Sequence, residues 1–209
     1  FGDAVEALGG RYVTAEAVGA SEADMVAVSR RTAHACGLPA GEGGLGGDPG
    51  PYTAMGIYLG IRAAVKHRMG RDSVAGVRVA ALGGGSVGGG VARLLAKDGA
   101  SLVLADIDAA RSKALAAELG AEAVAADAIM ATRCDVFSPN ALGAILDERG
   151  IAALDCQIVA GGANNQLARR GDGAALAARG ILYVPDYVIN AGGIINVSLE
   201  YLARQKGMD

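Results

Sequence analysis

The chain has 209 residues, of which 52% are apolar, 20% are charged and 33 are glycine, with a net charge of −3 at pH 7. The apolar content and small net charge exclude a disordered chain, and the longest uncharged stretch, Val79–Ala92, is too short to span a membrane. An isoelectric point near 5.4 without basic clusters argues against nucleic acid as a partner. We therefore expect a cytoplasmic globular protein with a small-molecule ligand.

The first quarter of the chain predicts a small body followed by a hinge. Tyr12–Thr14 is a short run typical of a strand, and a capping-box pattern at Ser21–Asp24 predicts a helix to about Arg31. The stretch Gly37–Pro51 holds seven glycines and three prolines. Such a composition predicts a loop, and a hinge between two domains.

From Thr53 onward, helical patterns alternate with short apolar strands. We predict strands at Val77–Leu82, Leu102–Ala105, Cys134–Phe137, Ile158–Ala160 and Leu182–Val184, and helices at Thr53–Met69, Val87–Lys97, Ala109–Leu119, Asn140–Leu146, Ala174–Arg179 and Ala191–Gln205. This alternation is typical of βαβ units, and it predicts an α/β fold with a parallel sheet covered by helices on both faces.

A glycine-rich turn follows the first of these strands. Gly83, Gly85 and Gly88 form the G-x-G-x-x-G pattern, in which the first glycine permits a tight turn, the second lets a pyrophosphate approach the backbone and the third lets the helix pack closely. The helix N-terminus offers N–H donors to the phosphates. The predicted phosphate-binding residues are Gly83, Gly84, Gly85, Ser86, Val87, Gly88 and Gly89.

An acid stands where this kind of site requires one. Asp106 lies 23 residues beyond Gly83, at the end of the next predicted strand. A carboxylate there accepts hydrogen bonds from the adenosine ribose and repels a 2′-phosphate, so the pattern predicts a Rossmann-type domain that binds NAD rather than NADP. The alternative is that Asp106 is a helix N-cap or a surface acid. Arg111 could meet a phosphate, but a solvated helix face explains it better.

Two further segments place amides and glycines at predicted strand ends. They are Ala160–Gln166, with the sequence AGGANNQ, and Pro185–Val197, with the sequence PDYVINAGGIINV. Ligands of open α/β sheets bind at the carboxyl ends of the strands. Both segments are therefore candidate ligand contacts, and capping of loops by the amides is the alternative.

Three cysteines, Cys36, Cys134 and Cys156, form no C-x-x-C pair and cannot all be paired. We expect three reduced thiols, as is usual in an intracellular protein. The chain has only two histidines, which leaves few zinc ligands, and we expect no metal site.

Taken together, these motifs resemble the Glu/Leu/Phe/Val dehydrogenase family, and within it the leucine and phenylalanine dehydrogenases most. The resemblance runs in order along nearly the whole chain. It is carried by Gly10–Glu16, Thr53–Ala54, Gly83–Gly88, Asp106, Cys134–Phe137, Ala141–Gly143, Ala163–Asn165 and Pro185–Val197.

The resemblance implies an enzyme that oxidises an L-amino acid to its 2-oxo acid, with NAD taking the hydride and water releasing ammonia. It implies that Thr53, Ala141, Ala163 and Asn164 contact the coenzyme. By the same resemblance, Asn165, Ile194 and Val197 contact the substrate. Branched apolar residues at the last two positions favour an aliphatic substrate such as leucine or valine, and the alternative is that both are core residues of the last helix.

The same resemblance implies the domain organisation. Residues 1–37 correspond to the last piece of a substrate-binding catalytic domain, residues 38–52 to the hinge loop, and residues 53–209 to the NAD-binding domain. Most of the catalytic domain and the family's C-terminal helices are then absent from this chain. We expect the full-length protein to be a homo-oligomer.

The chain departs from the family pattern at its catalytic positions. None of the four lysines, Lys66, Lys97, Lys113 and Lys206, lies in the glycine-rich segment that carries the family's catalytic lysine. Ala17 occupies the place of the catalytic aspartate, next to Glu16, and an alanine transfers no proton. We therefore expect no catalytic residue in this chain.

Two other functions remain open on the sequence. One is an NAD-binding relative without catalytic activity, which Ala17 and the missing lysines support. The other is a different two-domain dehydrogenase that shares only the nucleotide fold, which the specific segments make a weaker alternative.

Overall fold

The computed structural model describes residues 1–17, 19–39 and 46–207, and the chain divides into two compact units. One unit joins Phe1–Tyr52 to Gly192–Asp209, and the other is Thr53–Ala191. Residues 40–45 of the predicted hinge lie outside the described residues. No helix in the described part of the chain is long and apolar enough to cross a bilayer.

The second unit is built on a parallel sheet with the strand order β3-β2-β1-β4-β5-β6. This is the order of a dinucleotide-binding fold, in which the direction of winding reverses between β1 and β4. The predicted Rossmann-type α/β fold is confirmed. The strands are β1 Arg78–Leu82, β2 Ser101–Ala105, β3 Glu122–Ala123, β4 Val136–Pro139, β5 Ile158–Val159 and β6 Leu182–Tyr183.

Helices cover both faces of this sheet because successive strand residues point to opposite sides. In β1, Val79 and Ala81 join one buried cluster with residues of α3, α4 and α5, whereas Ala80 joins a second cluster with residues of α6 and α7. The helices that carry these residues are α3 Gly50–Met69, α4 Ser86–Lys97, α5 Ala109–Leu119, α6 Glu148–Ala153 and α7 Asp172–Ala178. A short helix, α8 Asp186–Ile189, follows β6.

The first unit contains α1 Gly2–Glu6, α2 Glu22–Ser29 and the last helix, α9 Gly192–Gln205. The predicted capping box is present: the Ser21 side chain accepts the N–H of Asp24, whose carboxylate accepts the N–H of Ser21. The segment predicted as a strand at Tyr12–Thr14 forms only an isolated parallel bridge, between Thr14 and Ala35.

The last helix packs in the first unit, whereas the sequence-based division groups residues 192–209 with the NAD-binding domain. The buried Glu200 carboxylate accepts the N–H of Gly37 at 2.8 Å, and Arg204 donates to the carbonyl of Ala35. Nδ1 of His34 lies 2.8 Å from the Tyr201 hydroxyl oxygen. These long-range contacts, which no local pattern encodes, explain the difference.

The helix predicted at Asn140–Leu146 is wrong. The N–H of Ala144 donates to the carbonyl of Asn165, and the N–H of Leu146 donates to the carbonyl of Gln166. These donors pair with a distant segment, and Ala144 has a φ of +59°. The helix forms later, at Glu148–Ala153, where Asp147 caps it through the N–H of Gly150.

Candidate coenzyme and substrate site

The glycine turn lies at the carboxyl end of β1, beside the end of β4, since Leu82 pairs with Pro139. Gly83 has a φ of +99°, and its N–H donates to the carbonyl of Ala105 at 2.8 Å. A Cβ on Gly83 would lie 2.9 Å from backbone atoms of Asn140 and Ala141. The turn therefore requires glycine here, and it brings the predicted coenzyme residue Ala141 against the glycine loop.

The other two glycines of the motif, Gly85 and Gly88, have different structural roles. A Cβ on Gly88 would lie 2.0 Å from the carbonyl oxygen of Gly83, so the helix packs on the turn only with glycine there. Gly85 is the N-cap of α4, and a Cβ there would meet no atom within 4 Å. Gly85 thus leaves open space next to the N-terminal N–H groups of a 12-residue helix, and helix N-termini are sites where proteins bind phosphate groups.

Asp106, the residue directly after β2, is hydrogen-bonded to this turn. Its Oδ2 accepts the N–H of Gly84 at 2.7 Å and its Oδ1 accepts the N–H of Asp108 at 2.8 Å. Burial acts to raise the pKa of Asp106, but these two hydrogen bonds and the Arg111 guanidinium, 3.4 Å away, outweigh burial and lower it. Asp106 is therefore an ionised carboxylate at the edge of the glycine turn.

The two alternatives considered for Asp106 are wrong. Asp108 is the N-cap of α5, where it accepts the N–H groups of Ala110 and Arg111. Asp106 is only 7% exposed, so it is not a surface acid. Arg111 is half-exposed, yet it forms ion pairs with both aspartates rather than serving only as a solvated helix face.

Asn140 links the ends of two central strands, a role that the sequence did not reveal. Its Nδ2 donates to the carbonyl and the hydroxyl of Ser138, each at 3.0 Å. Its Oδ1 accepts the N–H of Gly162 at 2.8 Å. A side-chain amide has both the donor and the acceptor that this link needs, and the residue thereby holds the AGGANNQ segment beside the glycine turn.

Asn164 and Asn165 of the AGGANNQ segment are exposed, and α8 and the residue after it hold them, whereas Gln166 is fully buried and its side-chain amide donates to the carbonyl of Gly161. Nδ2 of Asn190 donates to Oδ1 of Asn164 at 2.6 Å. Asn165 has a φ of +54°, and its N–H donates to Oδ2 of Asp186 at 2.7 Å. Among the described residues, the Asn165 side chain has no hydrogen-bond partner, so loop capping does not explain this amide. Ala163, within the same segment, is buried.

Asp186 is a second functional candidate that sequence reasoning missed. It is nearly buried, and besides the Asn165 N–H it accepts the hydroxyl of Tyr183 at 2.8 Å. Burial and the hydrogen bond to Asp186 both raise the pKa of Tyr183. Acidic residues are rarely buried without such partners, and the pattern Pro185-Asp186 before a helix was the available signal.

The remaining predicted contact residues divide by exposure. On α9, Val197 is 3% exposed and Ile194 is 61% exposed. Val197 thus has the environment of a core residue, whereas Ile194 is open to a ligand. Thr53 is partly buried on α3 in the second unit.

Comparison with known proteins decides the family. The model of the Glutamate/Leucine/Phenylalanine/Valine dehydrogenase family matches residues 104–209. The chain belongs to this family. It is 43% identical over its whole length to a leucine dehydrogenase of Thermoactinomyces intermedius, and 41% identical over 203 residues to a valine dehydrogenase of Streptomyces virginiae. The family resemblance expected from the motifs is confirmed.

A solved relative supports the same assignment. The crystal structure of L-tryptophan dehydrogenase from Nostoc punctiforme matches 96% of the chain with a TM-score of 0.80 and 37% identity. The chain covers 57% of that structure, 57% of the leucine dehydrogenase and 56% of the valine dehydrogenase. It therefore spans little more than half the length of the relatives it matches.

The position that the family resemblance assigns to a catalytic aspartate holds the exposed residue Ala17. The neighbouring Glu16 turns inward, and within the described residues its Oε2 is buried without a hydrogen-bond partner. Burial, followed by the negative charges of Asp48, Glu22 and Asp24, raises the pKa of Glu16. The carboxyl nearest to position 17 in sequence is thus held towards its neutral form.

Proposed function

We propose that this chain is the coenzyme-binding part of an NAD-dependent enzyme that oxidatively deaminates an L-amino acid to its 2-oxo acid and ammonia. The observation that carries the proposal is the ionised Asp106, joined by a 2.7 Å hydrogen bond to the Gly84 N–H at the edge of the glycine turn. Bound NAD would accept the hydride from the substrate. The family membership supports the reaction class, since its relatives are amino-acid dehydrogenases.

Different residues of the chain would bind different parts of the coenzyme. The turn Gly83–Gly89 would hold the pyrophosphate against the N-terminus of α4, and Asp106 would accept the ribose hydroxyls. Because a second negative charge close to Asp106 is unfavourable, NAD would be preferred to NADP. The residues that would contact the nicotinamide end are Thr53, Ala141, Ala163 and Asn164.

For the substrate, we propose an aliphatic amino acid such as leucine or valine. Asn165 would orient it through its unpartnered side-chain amide, held in place by Asp186. Ile194 and Val197 would line the pocket for the apolar side chain. The names of two of the relatives, a leucine and a valine dehydrogenase, agree with this class. We also propose that the full-length protein is a cytoplasmic homo-oligomer.

A second candidate function is NAD binding without catalysis. Ala17 carries no group able to transfer a proton, and general acid–base assistance typically contributes about 10²–10⁴-fold to a rate. An inactive relative would retain the glycine turn and Asp106, and it would bind the coenzyme without turning over any amino acid.

The two functions are separated by pairing binding with turnover. By calorimetry we expect the 209-residue chain to bind NAD more tightly than NADP, and to show no measurable deamination of any L-amino acid. In a protein extended to the length of its relatives, we expect L-leucine or L-valine turnover that Ala17→Asp increases. The same substitution should rescue nothing in the 209-residue chain.

Three results would contradict the proposal. Equal or tighter NADP binding would refute the coenzyme assignment. Robust turnover by the 209-residue chain alone would refute the proposal that this chain binds the coenzyme without catalysing deamination on its own. An extended protein that binds NAD but deaminates no amino acid, with or without Ala17→Asp, would establish the inactive relative instead.

A further inference from the structure

Two of the three cysteines lie side by side at the amino ends of neighbouring strands. The N–H of Cys134 donates to the carbonyl of Asp155, the residue before Cys156, at 2.9 Å. In a parallel ladder this bond places Cys134 opposite Cys156. Two residues further on, Val136 of β4 pairs with Ile158 of β5, which is the same register.

Their side chains also meet on one face of the sheet. Both cysteines pack against the buried cluster that contains Phe137, Leu146 and Leu176. Neighbouring strands are about 4.8 Å apart, and the Cα atoms of a disulfide are usually about 4.4–6.8 Å apart. The backbone at this point is therefore spaced for a disulfide, although all three cysteines are free thiols in the structure.

Of the two thiols, Cys156 is the one within reach of a small oxidant. Cys134 lines an open cleft of about 390 Å³ together with Arg78, Arg133 and Asp135, and Cys156 is only partly buried. This cleft lies at the amino ends of the strands, whereas the glycine turn lies at the carboxyl end of β1. The dithiol therefore belongs to a different part of the domain from the coenzyme site.

The surroundings distinguish the two thiols. The neighbouring Cys134 thiol lowers the pKa of Cys156 against the opposing effect of burial, and the charge of Arg179 acts in the same direction. Arg179 is fixed nearby because it donates to the carbonyls of Ile151 and Leu154. Since the thiolate is the nucleophile in thiol chemistry, Cys156 is the thiol that reacts first, and Cys134 is the one that resolves the product.

We propose that Cys134 and Cys156 form a redox-sensitive dithiol that hydrogen peroxide converts to a disulfide. The Cys156 thiolate attacks one peroxide oxygen; an S–O bond forms, the O–O bond breaks, and the leaving hydroxide takes up a proton to become water. The sulfur of Cys134 then attacks the sulfenic acid of Cys156; an S–S bond forms, the S–O bond breaks, and the thiol proton leaves with hydroxide as a second water. Two thiols are oxidised and one peroxide is reduced. A thiol reductant reverses the change.

The third cysteine supplies an internal control. Cys36 is buried in the other unit, and burial raises its pKa, so it has neither a thiol partner nor thiolate character. In the 209-residue chain, peroxide should lower the thiols that react under denaturing conditions from three to one. Peptide mapping should find Cys134 joined to Cys156, and dithiothreitol should restore all three thiols.

Single substitutions test the order of the steps. Cys156→Ser should abolish peroxide consumption by the pair, whereas Cys134→Ser should leave a sulfenic acid on Cys156 that a dimedone probe traps. Cys36→Ser should still form the bond. Peptide mapping of the unsubstituted chain is decisive even where a variant fails to fold. Three unchanged thiols, a disulfide involving Cys36, or oxidation of Cys134 and Cys156 without their being joined would each overturn the proposal.

Discussion

The N–H of Gly84 and Oδ2 of Asp106 lie 2.7 Å apart, which couples the turn after β1 to the end of β2. An ionised carboxylate has about four lone-pair positions, and the N–H groups of Gly84 and Asp108 occupy two of them. The Arg111 guanidinium also contacts both oxygens, at the longer distance of 3.4 Å, and a bound ribose would share or replace this contact. The carboxylate that would select the coenzyme thus also fixes the loop that would hold its pyrophosphate.

Asp106→Ser should relax coenzyme preference. Removing the charge that would repel a 2′-phosphate should reduce the NAD-over-NADP affinity ratio at least about tenfold, equivalent to about 1.4 kcal/mol. Asp108→Ser is the matched control, because it removes the same charge two residues away and serine retains the N-cap of α5. Calorimetry on both variants would disprove the assignment if Asp108→Ser shifted the ratio as far as Asp106→Ser.

The glycine turn permits binding to be separated from folding. Gly85→Ala should leave the free energy of unfolding within about 0.5 kcal/mol, since its Cβ would meet no atom within 4 Å, and it should weaken NAD binding by occupying the space for the pyrophosphate. Gly88→Ala should lower both the free energy of unfolding and the affinity for NAD, because its Cβ would lie 2.0 Å from the Gly83 carbonyl oxygen. Urea denaturation and calorimetry on each variant check this, and tight NAD binding by Gly85→Ala would contradict it.

The sequence predicts well where local patterns decide the structure. The run from β1 to α5 is correct to within one residue at each end, because a short apolar strand, a glycine turn and a capped helix are each encoded locally. The prediction from sequence fails at Asn140–Leu146, where backbone N–H groups donate to the carbonyls of residues 165 and 166 instead of continuing a helix. The roles of Asn140 and Asp186 are missed for the same reason: their partners, Gly162 and Asn165, are about 20 residues away in sequence.

Asp186 should be needed to hold Asn165 in its left-handed conformation. Asp186→Ala removes a charged acceptor from the Asn165 N–H and should cost about 1.5–3 kcal/mol of unfolding free energy. Tyr183→Phe deletes the other donor to Asp186 but leaves the Asn165 bond, so it should cost less than Asp186→Ala, which removes both bonds. Urea denaturation measures both, and equal losses in the two variants would show that the bond to Asn165 contributes nothing of its own.

Glu16 should make the protein less stable as the pH rises. Its raised pKa means that the folded chain holds the proton over a range in which the unfolded chain has already released it. Stability should therefore fall from about pH 4.3, the ordinary glutamate pKa, upward through the raised value in the folded state. Glu16→Gln should remove this loss, so its advantage over the unsubstituted chain should appear at pH 7 and vanish below pH 4.

Denaturant unfolding at both pH values measures the effect. Glu6→Gln, on the exposed side of α1, is the matched control and should change the stability by less than about 0.5 kcal/mol at either pH. A Glu16→Gln variant whose advantage is the same at both pH values would show that the buried carboxyl does not titrate as proposed.

Ile194 and Val197 should separate substrate selection from packing. In a protein extended to the length of its relatives, Ile194→Ala should change the kcat/KM ratio of leucine over phenylalanine by about 1–3 kcal/mol, because it enlarges an apolar pocket. Since Ile194 is 61% exposed, its substitution should leave the stability within about 0.5 kcal/mol. Val197→Ala should also favour bulkier substrates, but its burial adds an unfolding cost of about 1.5–3 kcal/mol. If neither variant alters the ratio while Val197→Ala still loses stability, both residues are packing residues of α9, and substrate size is set elsewhere.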